Sequence, residues 1–280
     1  MENSTPVCKP RAVIGLDAAW TTRGSSGVAL VAETVRGAWR TVAVHGSYQN
    51  FIAAAGFSVP ESFQEVPGAI VEAANVLAPG AALSTIVVDM PLSKLPITGR
   101  RTADNLVSKT FGGAGCSTHT PSAVRPGSIA STLRNGFATA GFPLATERIL
   151  LPGLYETYPH PALLHLMQIA RRYPYKVARA SKLWPDIPTA DRWRIAVAQF
   201  QSIVVQLEKF IQGAVFDWPT EPVPISSLKT LEDQIDALVC AWVGTRIVDG
   251  AVVPFGDTDA AIWLPATPEV RKLNHQATLA

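Results

Sequence analysis

The stretch Leu83-Ser84-Thr85-Ile86-Val87-Val88-Asp89-Met90 decides the fold. Its centre, Thr85 to Val88, is too apolar and β-branched for a strand with one wet face, so it reads as an internal strand of a sheet covered on both sides. The strand ends in a carboxylate, Asp89. Just upstream, 60–78 carries Phe63, Val66, Ile70, Ala73, Ala74 and Leu77 at close to helical spacing, and Pro79-Gly80 ends the run. A helix therefore leads into the strand. Further back, 12–20, 27–34 and 39–46 are apolar, β-branched or alternating runs separated by turn residues, which predicts three strands in a meander. The first of them is apolar up to Asp17.

Downstream, 93–148 loses periodicity and is punctuated by Gly, Ser, Thr and Pro, most densely in Phe111-Gly112-Gly113-Ala114-Gly115-Cys116-Ser117-Thr118-His119-Thr120-Pro121. This reads as an insertion beside the strand end. Long loops inside compact domains are more often functional lids than filler, although the composition equally permits partial disorder. Residues 150–158 supply a fifth strand carrying Glu156, Pro159 and Pro161 stop it, and 162–173 reads as a short helix. Strong helical patterns come next, at 189–212 and 227–248. A last extended pair, 251–255 and 260–264, is joined by Gly256-Asp257-Thr258-Asp259 and predicts a hairpin. There is no internal repeat.

The 280 residues, 48% hydrophobic and 16% charged, suit one large domain over 11–267 with short tails at 1–10 and 268–280. Cys8, Cys116 and Cys240 are odd in number and far apart, with no metal-ligand spacing, so neither a disulfide framework nor a zinc site is expected. A reducing, cytoplasmic setting fits. Residues 1–10 lack the basic-then-apolar order of a signal peptide. The longest uncharged apolar stretch, 73–88, is broken by Pro79-Gly80 and falls short of the roughly 20 apolar residues of a spanning helix. A soluble protein with no membrane partner is the expectation.

The net charge of +2 is unevenly spread. Arg100, Arg101, Lys109, Arg125 and Arg134 outweigh Asp104 in 99–135, and Arg171, Arg172, Lys176, Arg179, Lys182, Arg192 and Arg194 outweigh Asp186 and Asp191 in 171–194. The remainder is acidic. Two basic segments on an acidic body suit a polyanionic ligand held over carboxylates, and equally suit solvated helix faces.

The order of acids carries the chemistry: one strand ending in Asp17, two more strands, a helix, a buried strand ending in Asp89, and a late helix bearing Asp233 and Asp236 on one face. Hard divalent ions such as Mg²⁺ and Mn²⁺ take oxygen ligands, and four carboxylates around one point repel without them. Each acid also has a plainer role. Asp17 can open the turn Asp17-Ala18-Ala19-Trp20, Asp89 can cap the segment after Pro91, and Thr230 with Asp233 has capping-box spacing. Asp236 lies a turn inside the helix, where capping does not explain it. Glu156 can be a strand-edge carboxylate paired with an arginine, and His160, between two prolines, can be purely structural rather than an acid or base.

Ile14-Gly15-Leu16-Asp17, Val87-Val88-Asp89-Met90-Pro91-Leu92, Glu156-Thr157-Tyr158-Pro159 and the run from Asp233 to Trp242 together resemble the predicted ribonuclease H-like nuclease family catalogued as domain of unknown function 429. The Asp233-Gln234-Ile235-Asp236-Ala237 stretch is also distantly similar to the last helix of Holliday-junction resolvases. The resemblance implies a mixed five-stranded sheet with helices on both faces, strands one and four side by side, an insertion after strand four (93–148) and the C-terminal hairpin. It implies Asp17, Asp89, Asp236 and Asp233 as ligands of Mg²⁺ or Mn²⁺, with Glu156 joining that shell or orienting a ligand. Arg100, Arg101 and Lys182 become candidate contacts to nucleic-acid phosphates, although Lys182 can equally be an exposed helix-end lysine.

The leading expectation is two-metal hydrolysis of phosphodiester bonds in nucleic acid. The opening Gly15-Leu16-Asp17 is shared with actin-like and sugar-kinase-like phosphotransferases, but the chain is short for two such domains. The Gly-rich loop lacks the G-x-x-x-x-G-K-[ST] order of a P-loop, so it is not read as a nucleotide cradle. A third reading is a nucleic-acid-binding protein of the same fold without catalysis.

Overall fold

A computed structural model describes residues 9–21 and 24–266. Cys8 and nearly all of the two expected tails lie outside them. The chain runs β1 (Arg11–Asp17), β2 (Gly27–Val35), β3 (Ala38–His45), α1 (Tyr48–Ala54), α2 (Val66–Leu77), β4 (Ala82–Asp89), α3 (Thr102–Phe111) and α4 (Ser128–Thr139). It continues β5 (Gly153–Glu156), α5 (Pro159–Met167), α6 (Ala180–Leu183), α7 (Arg192–Leu207), β6 (Ile211–Gln212), α8 (Lys229–Val248), β7 (Val252–Gly256) and β8 (Ala261–Pro265).

These strands form one mixed sheet of eight, in the order β6-β3-β2-β1-β4-β5-β8-β7. The five expected strands are its middle. The expectation stops at five because it treats the C-terminal hairpin as a separate feature, whereas β8 pairs in parallel with β5 through Glu156 and Ile262. At the opposite edge the two residues of β6 pair with Trp39 and Arg40, a contact too short to leave a periodic signal.

Alternation along β1 assigns each face its own core. Val13, with Val87 of β4 and Val31 of β2, packs under α8, α7, α5 and α3. Ile14 and Leu16, with Ile86, Val88 and Leu30, pack under α1, α2 and α4. Helices on both faces explain why β4 reads as a continuous apolar run.

The insertion is not a loose loop. Its residues 102–111 and 128–139 are helices whose Val107, Phe111, Leu133 and Phe137 are buried in the two cores. Short helices mixed with Gly and Ser leave little periodicity to detect. The helix expected at 60–78 begins only at Val66, with Pro67 in its first turn. The strand expected at 150–158 is confined to Gly153–Glu156, and α5 ends at Gln168, which adopts φ 53°. Among the described residues no helix is long and apolar enough to cross a membrane.

Candidate functional site

β1 and β4 are parallel neighbours in register, with Asp17 opposite Asp89. Adjacent strands lie about 4.8 Å apart, so two carboxylates leave the sheet side by side at the same edge. The last helix reaches them because the strands beneath it carry glycine, with no side chain, at Gly15 and Gly27. A Cβ on Gly15 would lie 2.1 Å from the Ala237 carbonyl oxygen, and one on Gly27 would lie 2.0 Å from the Asp233 carbonyl oxygen. α8 therefore rests directly on the backbones of β1 and β2, and Asp233 and Asp236 meet the ends of those strands fully buried.

The acids divide into two kinds. Both Asp236 oxygens are taken: Tyr175 Oη donates to Oδ1 at 2.5 Å, and the Lys176 ammonium pairs with Oδ2. Lys176 also pairs with Glu232 at 3.3 Å. Asp233 accepts from the Ser25 hydroxyl and the Lys229 ammonium. Its expected capping-box role is not observed, since α8 starts at Lys229 and no side chain caps it. Asp17 and Asp89, by contrast, are only half-buried and accept no hydrogen bond from any described residue.

Electrostatics follow from this crowding. Burial, with Asp236 and Asp89 nearby, raises the Asp17 pKa well above its usual range, and Lys176 opposes the rise. Burial pushes Asp89 up to about 7, again against Lys176. Desolvation disfavours the Lys176 ammonium, yet Asp236, Tyr175, Glu232 and Asp17 together hold it firmly protonated. The cluster is short of positive charge where Asp17 and Asp89 face the cleft.

That cleft has two lobes. One, of about 290 Å³, is lined by Trp20, Asp89, His119, Tyr158, Arg172, Lys176 and Arg179. The other, of about 590 Å³, is lined by Asp17, Trp20, Asp89, His119, Arg125, Lys229 and Asp233. An acidic floor under basic and aromatic walls results.

Glu156 lies on the neighbouring strand, opposite Val88, and lines the same lobe as Asp89. It is buried, accepting from the Leu92 N–H at 2.7 Å and from Arg101 at 2.6 and 2.7 Å. Burial raises its pKa to about 7 while Arg101 pulls the other way. The plainer reading of Glu156, a carboxylate paired with an arginine, describes its place. All five Arg101 N–H groups go to Glu156, Asp104 and the Leu92 carbonyl, leaving none to meet a phosphate. Arg100 is exposed but ties down the following loop through the Thr118 carbonyl, the Thr120 hydroxyl and Ser108. Lys182 is exposed on α6 and lines neither lobe.

His160 is buried, with Nε2 against the Arg172 guanidinium and Nδ1 without a partner. Burial, then Lys176 and Arg172, push its pKa well below 6.5, so it is neutral. Sequence reasoning names the basic run around Lys176 but selects Lys182 from it. Only buried Tyr175 and half-buried Lys176, between the exposed Arg171 and Arg179, turn into the acids. Nothing in the spacing distinguishes them.

A family model described as Protein of unknown function (DUF429) matches residues 15–261. The chain belongs to the DUF429 family. The matched span of this DUF429 protein begins within β1, two residues before Asp17, and ends at the start of β8, so it includes every acid of the cluster. Comparison with curated proteins and with solved structures returned no match.

The oxygen-only donors suit a hard cation, yet among the described residues no three His, Cys, Asp or Glu side chains are grouped to cage a metal ion. Of the four expected carboxylate ligands, Asp236 and Asp233 are held by Lys176 and Lys229. The open Asp17–Asp89 pair fits a different pattern. Mg²⁺ commonly takes one or two carboxylates and completes its shell with waters and substrate phosphate.

Proposed function

We propose that this DUF429 protein is a ribonuclease H-like, divalent-metal-dependent hydrolase of phosphodiester bonds in nucleic acid, with Asp17 and Asp89 as its metal-binding pair. One observation carries the reading. Among the acids lining the cleft, the in-register Asp17 and Asp89 are the two whose carboxylates accept from no described residue, while Asp233, Asp104 and Glu156 are all engaged. The side-by-side placement of strands one and four supports the ribonuclease H-like assignment.

Mg²⁺ or Mn²⁺, when bound, would polarise the phosphoryl group and make an attacking water more acidic. The protein's own groups prepare the site. Asp17 and Asp89 present oxygens toward the cleft. Lys176 and Lys229 pair with Asp236, Glu232 and Asp233 and offset most of their charge, which lessens the repulsion of an approaching phosphate. Arg172, Arg179 and His119 line the path of the phosphate backbone, and Trp20 and Tyr158 offer flat faces to bases. A second ion at Asp236 requires Lys176 to leave it.

Cleavage assays with Mn²⁺ on single- and double-stranded DNA and RNA test the proposal. The wild type should cut at least one, and Asp17→Asn and Asp89→Asn should each abolish cutting while keeping the native circular dichroism. Cleavage that survives both substitutions refutes it.

A further inference from the structure

A second concavity, of about 460 Å³, lies between the glycine-rich turn Gly112–Ala114 with Gly115 and the segment after α5. Arg171, Arg172, Lys176 and Arg179 line it, together with Tyr173, and no acid does. Two of these cations already have partners: Lys176 is neutralised from behind by Asp236 and Glu232, and Arg172 contacts His160. Arg171 and Arg179 are exposed, and neither makes an ion pair or side-chain hydrogen bond with a described residue. Like charges converging on one concave wall repel unless an anion lies between them. The opposite wall leaves room for it, since a Cβ on Gly113 would meet nothing within 4 Å. The two walls are fixed to each other, because the Arg172 N–H donates to the Ala114 carbonyl at 2.8 Å.

We propose that this pocket binds a phosphate group of a nucleotide or nucleic-acid strand. Arg171 and Arg179 supply paired N–H donors of the kind that match phosphate oxygens, and the glycine turn admits the group without steric cost. The site needs no P-loop order, because side chains rather than a helix N-terminus provide the charge. Arg172, Lys176 and Arg179 line both this pocket and the acidic cleft. A ligand with two phosphates therefore spans from one to the other. The inference rests on the basic pocket alone and stands whether or not Asp17 and Asp89 cleave anything.

Calorimetric titration of the full chain with inorganic pyrophosphate, in low salt and without divalent metal, tests it independently of the metal site. The wild type should bind. Arg171→Ala/Arg179→Ala should weaken binding at least about tenfold, as loss of two charge-assisted contacts requires. Gly113→Glu, which points a carboxylate into open space, should do the same. Arg36→Ala/Arg148→Ala removes equal charge from exposed residues that do not line the pocket and should leave affinity unchanged. Absence of wild-type binding, wild-type affinity in the pocket variants, or an equal loss in the remote pair overturns the proposal. Parallel titrations with a nucleoside diphosphate and a single-stranded oligonucleotide, each compared with Gly113→Glu, show which source of phosphate the pocket prefers.

Discussion

Lys176 pairs with Asp236 at the foot of α8, joining the basic run after α5 to the acids on the sheet edge. The carboxylate is wholly buried and the ammonium nearly so, at 0% and 19% side-chain exposure. A pair like this is weak evidence for net stability, but removing one member strands the other.

Lys176→Met should therefore destabilise the metal-free protein by about 3 kcal/mol, since it leaves buried Asp236 without its cation and with only the Tyr175 hydroxyl as a donor. Lys176→Met/Asp236→Asn should recover a large part of that loss. Urea denaturation measures both. A single variant as stable as the wild type would show that the lysine is incidental.

Asp89 contributes a loss of stability toward alkali in the metal-free fold. Its folded pKa, about 7, exceeds its ordinary value of 3.8, so the native state holds the proton more tightly than the unfolded chain. This contribution to stability falls as pH rises from about 3.8 through about 7 and is fully lost above that. Asp89→Asn should flatten the decline and raise the Tm under mildly alkaline conditions, and Mn²⁺ should raise the Tm of the wild type but not of the variant. Parallel pH profiles of the two proteins would contradict the assignment.

Gly15 and Gly68 should respond oppositely to alanine. Gly15→Ala drives a methyl into the backbone of α8, 2.1 Å from Ala237 and 2.2 Å from Ala241, and should cost at least about 3 kcal/mol. Gly68, inside α2, would meet nothing within 4 Å and has an ordinary φ, so Gly68→Ala should stabilise by about 0.5–1 kcal/mol. Thermal denaturation distinguishes them, and a tolerated Gly15→Ala would mean that α8 rides higher on the sheet.

The local chemistry of the chain determined the elements that depend on neighbours in sequence. The β-branched run into Asp89, the apolar run into Asp17, the long helix bearing Asp233 and Asp236, and the final hairpin all carry their periodicity or turn residues within a few positions. Their order, read through the family resemblance, put Asp17 beside Asp89, as the register of β1 and β4 has it. The short strand β6, the joining of the hairpin to β5, the helices within 93–148 and the division of labour among the acids were decided by tertiary packing. Whether a carboxylate meets a lysine, an arginine or open solvent depends on groups far away in the chain: Lys176 is 60 residues from Asp236, and Arg101 is 55 from Glu156. Spacing ranked Asp236 above Asp233 and left both as ligands. The fold gave each an ammonium partner and left Asp17 and Asp89 open, because α8 lies directly on the glycines of β1 and β2 and buries its acids while the strand ends face the cleft.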